Sequence, residues 1–129
     1  MRPDADTAIW NRACERAGLA GARAGDTALT RMILADGLVQ NGGVLHAVEV
    51  LGEELPLACD AYRFFGLPEG ADVFERAARW MGAVRTTVEA EEEAEGAFNR
   101  AYWDFEKKKS LLDAFHEHLA LHPELYDPA

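Results

Sequence analysis

The chain has 129 residues, 49% of them hydrophobic, and its 23 acids against 13 bases give a formal net charge of −10 at pH 7. This length and composition fit one domain with a buried core, and they exclude wholesale disorder and a membrane span of ~20 apolar residues. The charge disfavours binding of nucleic acid or anionic membranes and favours a basic protein partner, although solubility alone is the simpler explanation.

The N-terminal sequence predicts a short frayed segment, residues 1–5, and then a first helix that Asp6 can cap. Acids stand where a secretion signal would carry bases and an apolar core, so we expect a cytoplasmic protein. Cys14 and Cys59 are the only cysteines and have no metal-binding spacing. Their apolar helical surroundings predict buried, reduced thiols.

The densest apolar stretch, residues 26–52, predicts two helices that meet at a glycine corner. Asp26 can cap the first helix, whose apolar residues cover most of its circumference and therefore indicate burial on several sides. The sequence Asn41-Gly42-Gly43 can end this helix, because glycine accepts the left-handed backbone of a helix C-cap. The predicted centre of the core consists of Leu29, Met32, Ile33, Val48 and Leu51.

The C-terminal two thirds of the chain show helical spacing and no alternating strand pattern, and residues 82–88 interrupt the helical spacing and predict a loop or a poor helix segment. Residues 66–70 are typical of a turn, and Asp72 with Glu75 resembles a capping box for the helix that follows. Ser110 can cap a last helix that ends at His122-Pro123. We therefore predict an all-α fold, a compact single-domain bundle over residues 1–129 of about six to seven mostly short helices around a buried central helix.

Histidines near the C-terminus are the one candidate for a metal site. His118 and His122 are four residues apart on a helix and could share an ion, whereas His116 points elsewhere around the helix. Structural metal sites need about four ligands, and no cysteine lies nearby in sequence. Surface histidines are the simpler interpretation, and we predict no native metal and no cofactor.

Catalytic motifs are missing from the sequence. Ser110 is the only serine and is explained as a helix cap, and no nucleophile-elbow pattern is present. We therefore predict no catalytic residue and expect a protein that is not an enzyme. A deep pocket lined by groups with strongly shifted pKa values would reopen the enzyme alternative.

A run of five carboxylates without a base, Glu89 to Glu95, has two interpretations. It can be a solvated helix start, where acids suit the positive end of the helix dipole. It can also imitate DNA, because carboxylates three or four residues apart lie ~5–6 Å from one another and could stand in for backbone phosphates. The predicted partner-binding residues are Glu89, Glu91, Glu92, Glu93 and Glu95, with Glu49, Glu53 and Glu54 added from the segment after the glycine corner.

Several blocks of residues resemble the bacterial DNA-mimic protein domain family, an all-helical acidic family. The resemblance spans roughly residues 27–127 and is most specific at Asn41-Gly42-Gly43 followed by the helix end Val50-Leu51-Gly52. Further blocks are Ala101-Tyr102-Trp103-Asp104-Phe105, the Leu111-Leu112 helix and His122-Pro123-Glu124. The family usually carries an aromatic residue soon after the corner, where this chain has Val44-Leu45-His46.

The resemblance implies a non-enzymatic, acidic homodimer that imitates DNA and occupies the basic DNA-binding surface of a transcription regulator. An immunity-type inhibitor of a basic toxin nuclease is the alternative with the same electrostatics. A helical domain without any mimicry is the third interpretation, because most family members have no assigned role.

Overall fold

The computed structural model describes residues 4–16, 23–83 and 87–128. Within these ranges the chain forms α-helices and short 3-10 helices and no strand, which confirms the predicted all-α bundle. The α-helices are α1 (Ala5–Arg16), α2 (Ala24–Gly42), α3 (Val44–Leu51), α4 (Leu55–Phe64), α5 (Pro68–Ala83), α6 (Val88–Lys108) and α7 (Leu111–Leu121). The 3-10 helices are Gly52–Glu54 and Pro123–Leu125.

Helix α2 is the central helix, since it packs against α1, α3 and α4. Leu29 and Met32 on α2 are fully buried, and Val48 and Leu51 on α3 are buried against it. Ile33, which we expected inside, is only partly buried at the edge of the core. Burial therefore covers less of the α2 circumference than the sequence predicts.

The glycine corner joins α2 to α3 and is held by α6. Helix α2 continues through Gly42, and Gly43 then adopts a φ of 91°, which favours glycine. The side-chain oxygen of Asn99 on α6 accepts a hydrogen bond of 2.9 Å from the backbone N–H of Val44, the first residue of α3. Asn99 therefore caps α3 from another helix, and the corner predicted from the sequence is fixed by a tertiary contact.

An aromatic cluster fills the space between α4, α5 and α6. The ring of Tyr62 lies 5.3 Å from that of Phe74 and 6.1 Å from that of Phe105, measured between centroids. Gly70 on α5 lies against this cluster, because a Cβ atom there would come within 2.6 Å of Tyr62 and 2.8 Å of Phe105. The turn predicted at residues 66–70 is wrong in its second half, because α5 already begins at Pro68. Proline is well suited to the first turn of a helix.

Three predicted helix caps are wrong. Asp4 replaces Asp6 at the start of α1, where its side chain accepts a 2.8 Å hydrogen bond from the N–H of Thr7. Asp26 lies inside α2 and is buried, and Asp72 lies inside α5, where it forms an ion pair with Arg76. In each case the helix begins earlier than the capping pattern indicates.

Ser110 and Thr87 do cap their helices. The Ser110 hydroxyl accepts a hydrogen bond of 3.0 Å from the N–H of Asp113 at the start of α7, as predicted, and Thr87 accepts one of 3.2 Å from Ala90 at the start of α6. Helix α7 ends at Leu121, immediately before His122-Pro123. Of the frayed segment predicted at 1–5, residues 1–3 lie outside the described residues, and α1 already includes Ala5.

The C-terminal segment, residues 122–128, is tied to the first two helices. Arg12 on α1 donates hydrogen bonds to the carbonyls of Asp127 at 2.9 Å and Pro128 at 2.8 Å, and Arg23 donates to the carbonyl of Tyr126 at 3.0 Å. The Tyr126 ring is buried against Phe115. The C-terminal segment is therefore fixed by hydrogen bonds to α1 and to the start of α2.

The cysteines occupy different environments. Cys59 on α4 is buried as expected, and burial raises its pKa to about 11. Cys14 is exposed, so its predicted burial is wrong. It follows the buried Ala13 by ~100° around α1, which turns it away from the core.

Candidate acidic interface

The carboxylate run lies on the first half of α6. The buried residues of α6 are Tyr102 and Phe105, both in its second half. Of the five predicted residues in the run, Glu89, Glu91, Glu92 and Glu93 are exposed and Glu95 is half-buried. The run is therefore an accessible helical arm.

The five carboxylates wrap around the arm rather than forming one stripe. At 100° per residue they cover an arc of roughly 200°, from Glu91 through Glu95 and Glu92 to Glu93. Ala90 and Ala94 occupy the remaining side, in line with Phe98 further along the same face. A partner could therefore contact carboxylates from a wide range of directions around this arm.

The predicted carboxylates have no basic partner among the residues that the structure describes. Among the described residues, no lysine, arginine or histidine forms an ion pair with any member of the run, or with Glu49, Glu53 or Glu54. The ion pairs that the described residues form involve acids outside these two groups, such as the pair of Lys108 with Glu69 at 3.3 Å. The charge of the two groups is therefore open to an incoming partner.

Glu95 connects the run to the glycine corner. One of its carboxylate oxygens would lie 3.4 Å from a Cβ atom at Gly43, next to the start of α3. Glu49 is exposed on α3, and Glu53 and Glu54 are exposed in the 3-10 helix at its far end. Because α3 has 8 residues, its two ends are ~12 Å apart, so the two groups flank opposite ends of one short helix.

The lysine cluster lies at the other end of α6. Lys107 and Lys108 are in its last turn, roughly 28 Å along the axis from Glu89, and Lys109 follows. Lys109 forms an ion pair with Glu117 on α7. The lysines of α6 thus lie in the half that carries its buried residues Tyr102 and Phe105, while Arg100 lies between them and the carboxylate run.

The histidines have structural contacts of their own. The Nδ1 atom of His118 is 2.8 Å from the hydroxyl of Tyr126, and its ring centroid is 4.3 Å from that of Phe64 and 4.9 Å from that of His122. Burial, with a smaller effect of His122, lowers the pKa of His118. Among the described residues no group of three or more His, Cys, Asp or Glu side chains is arranged to hold a metal ion.

A buried polar cluster was not predicted from the sequence. The hydroxyls of Tyr62 and Tyr102 are 2.7 Å apart, and the Tyr102 hydroxyl donates a 2.7 Å hydrogen bond to the carboxylate of Asp36. Glu106 lies beside them with a buried carboxyl oxygen that has no hydrogen-bond partner among the described residues. Burial and then the neighbouring Asp36 raise the pKa of Glu106 to about 8.

This cluster is a packing feature rather than an open site. Burial raises the pKa of both tyrosines far above the ordinary value, so they stay protonated and act as hydrogen-bond donors. Four surface grooves of 300–510 Å³ among those that the described residues form are lined by other side chains. The cluster joins residues 40 and 66 positions apart, and no local pattern could have signalled it.

Two further observations bear on what the chain is. None of the described helices combines the length and the apolarity that crossing a membrane requires.

The family model for DMP19-like protein matches residues 25–127, nearly the range over which the sequence resembled DNA-mimic proteins. No curated protein and no solved structure was found to match the chain.

Proposed function

Because the chain belongs to the DMP19-like family, that of DNA mimic protein 19, we propose that it is a non-enzymatic module that imitates DNA and binds the basic DNA-binding surface of a transcription regulator. The observation that carries the proposal is the set of eight carboxylates without ion-pair partners among the described residues. They are Glu89, Glu91, Glu92, Glu93 and Glu95 on α6, with Glu49, Glu53 and Glu54 around the end of α3.

The spacing of these carboxylates resembles that of DNA phosphates, so they can occupy a partner's surface that normally binds a phosphate backbone. Glu91 and Glu95 are one helical turn apart, ~5–6 Å, which is close to two steps of the 3.4 Å rise between phosphates on one DNA strand. Charges that are not engaged in internal ion pairs need not lose such contacts when a base approaches. As far as the described residues show, the run can exchange water for the lysines and arginines of a partner without breaking an internal ion pair.

The proposal that the protein is not an enzyme rests on where its perturbed groups lie. Tyr62, Tyr102 and Asp36 are joined by hydrogen bonds, and Glu106 lies beside them. A reactive carboxyl would need a cleft that admits substrate beside it. The described grooves lie elsewhere, so the cluster supports a stabilising role.

The test is capture of the partner followed by competition with DNA. Immobilised protein should retain a DNA-binding regulator from cells that encode the chain, and short duplex DNA carrying the regulator's operator should release it. The variant Glu91→Lys, Glu92→Lys, Glu93→Lys should retain far less. A matched variant, Glu15→Lys, Asp60→Lys, Asp72→Lys, changes the net charge equally at exposed sites on α1, α4 and α5, and should retain the partner.

Three outcomes would contradict DNA mimicry. Capture of a basic nuclease whose activity is blocked would support the immunity-type inhibitor instead. Retention of a regulator that operator DNA does not release would place the contact outside the DNA-binding surface. Equal loss in the two charge-reversal variants would show that only the net charge matters. Membership in the family also leads us to propose a homodimer. The molecular mass of the protein in solution tests that proposal separately.

A further inference from the structure

An apolar groove of 430 Å³ runs between α2, α3 and α4. Its apolar lining includes Leu34 and Leu38 from α2, Val50 and Leu51 from α3, and Leu57 from α4. Leu34 is 49% exposed and Val50 is 55% exposed. Single exposed apolar side chains are ordinary on protein surfaces, but these two line one concave site that also reaches the core at Leu51.

Charged residues surround this groove unevenly. Glu54 lines it directly, and the exposed Glu53 and Glu49 are its neighbours in sequence, Glu49 next to Val50. Arg31 is the only base among the lining residues. Apolar walls beside carboxylates that have no ion-pair partner among the described residues are complementary to a segment that is apolar on one face and basic beside it.

We propose that this groove binds an amphipathic helical segment of the protein partner, one with an apolar face flanked by lysine or arginine. The proposal deepens the proposed function and rests on it for the identity of the partner, while the groove itself is independent of DNA mimicry. The partner is thus held at two places, by carboxylates on α6 and by an apolar site bordered by carboxylates.

The length of the groove fits a helix of the partner. Arg31, Leu34 and Leu38 lie on one face of α2, and from the first to the last of them the helix rises ~10 Å. Two turns of a bound helix cover that distance, so side chains at i, i+3 or i+4 and i+7 of the partner segment can enter the groove. A basic strip without apolar anchors would leave the groove empty.

The two contacts have different kinetic consequences. Long-range charge attraction accelerates encounter, whereas close apolar packing slows dissociation. A DNA duplex offers charge but no row of leucines, so a site that copied DNA alone would gain nothing from Leu34 and Val50. The groove therefore adds residence time and selects among basic proteins by the shape of an apolar helix.

The experiment uses a synthetic peptide as the probe with the full chain. The peptide is about 18 residues of leucine, lysine and alanine, long enough to form an isolated helix, with leucines at i, i+3, i+4 and i+7. A control peptide has the same composition with its leucines spread around the helix. Fluorescence anisotropy of the labelled peptides should show the amphipathic peptide binding about ten-fold or more tightly than the control.

Paired variants locate the binding site. Leu34→Ser with Val50→Ser should weaken binding of the amphipathic peptide about ten-fold, because each exposed side chain loses part of its apolar contact. Leu112→Ser with Leu121→Ser removes two exposed leucines of α7 and should change nothing. Glu53→Lys with Glu54→Lys should weaken binding and reduce its dependence on salt.

The outcomes separate this proposal from the proposed function. Equal affinity for the two peptides, or equal affinity of the wild type and the Leu34/Val50 variant, would overturn the groove proposal whatever the capture experiment shows. A concentration-dependent dimer that the Leu34/Val50 variant converts to a monomer would also overturn it, because a second copy would then fill the groove. If the peptide binds as expected but operator DNA fails to release the captured partner, DNA mimicry is rejected and the groove proposal stands.

Discussion

The carboxylate of Asp26 on α2 accepts hydrogen bonds from the guanidinium of Arg12 on α1 and, at 2.7 Å, from the backbone N–H of Asp127. The Asp26 side chain is 7% exposed and that of Arg12 is 20% exposed. One carboxylate therefore joins the first helix, the central helix and the C-terminal segment. A charge at this depth depends on its partners for stability.

Replacing Arg12 should destabilise the fold strongly. Arg12→Ala leaves the Asp26 carboxylate buried without its main partner and should cost about 3 kcal/mol of unfolding free energy, measured by urea denaturation. Arg76→Ala is the control, since its ion pair with Asp72 is exposed and worth at most ~0.5 kcal/mol. Similar midpoints for these two variants would contradict the role assigned to Arg12.

The buried Glu106 carboxyl should make stability fall as the pH rises. Its pKa is about 8 in the folded protein and lies near 4.5 in an unfolded chain, so the folded state binds the extra proton between these values. The free energy of unfolding therefore loses this contribution progressively from about pH 4.5 to 8 and levels off above. Glu106→Gln should remove the decline and be more stable than the wild type at pH 8.

Chemical denaturation at several pH values measures this effect. Asp104→Asn, which changes an exposed carboxylate on the same helix, should keep the wild-type pH dependence. A Glu106→Gln profile parallel to that of the wild type would assign the decline to other groups.

The core should respond unequally to two neighbouring truncations. Leu29→Ala removes a fully buried side chain and should cost about 3–5 kcal/mol, whereas Ile33→Ala, at the edge of the core, should cost less than about 2 kcal/mol. Denaturant midpoints compare the two. A single transition seen alike by tryptophan fluorescence and far-UV circular dichroism would support one cooperative domain over residues 1–129, and two separate transitions would contradict it.

Two glycines inside helices should respond in opposite directions to alanine. A Cβ atom at Gly37 on α2 meets nothing within 4 Å, so Gly37→Ala should stabilise by about 0.5–1 kcal/mol through helix propensity. Gly70→Ala places a Cβ within 2.6 Å of the Tyr62 ring and should destabilise the fold. Thermal midpoints of the two variants test the close approach of α5 to the aromatic cluster.

Reversal of three charges on α6 should act on association rather than on folding. Glu91→Lys, Glu92→Lys, Glu93→Lys should lower the association rate with the captured partner at low salt by about ten-fold or more, since charge steering depends on the field at this surface. The folding free energy should change little, because these side chains are exposed. A rate that responds neither to salt nor to the reversal would leave the run as an ordinary helix start.

Local patterns predicted the helices well and their tertiary partners poorly. The Ser110 cap and the end of α7 at Leu121 depend on residues close in sequence, and the sequence predicts them correctly. The position of the glycine corner is also predicted correctly, whereas its contact with Asn99 is not. Asp26 resembled a cap because acids favour helix starts, but its partner Arg12 is 14 positions away. A single sequence cannot show that pairing.

The candidate interface was predictable because its charges are contiguous. Five of its carboxylates follow one another on α6, so their identity needs no knowledge of packing. Their lack of ion-pair partners among the described residues and the exposure of Glu89, Glu91, Glu92 and Glu93 come from the fold. The Asp36–Glu106 contact and the groove between α2, α3 and α4 require three-dimensional proximity, and no motif marks them.

Helix α6 carries glutamates at its first turns and Lys107 and Lys108 at its last, some 28 Å apart. Separated charges of opposite sign on α6 contribute a dipole component directed along this helix. In the field of a basic protein such a dipole experiences a torque, which turns the acidic arm toward the partner before contact. The lysines therefore favour orientations in which the glutamates meet the partner first, although they lie at the far end of the helix from the interface.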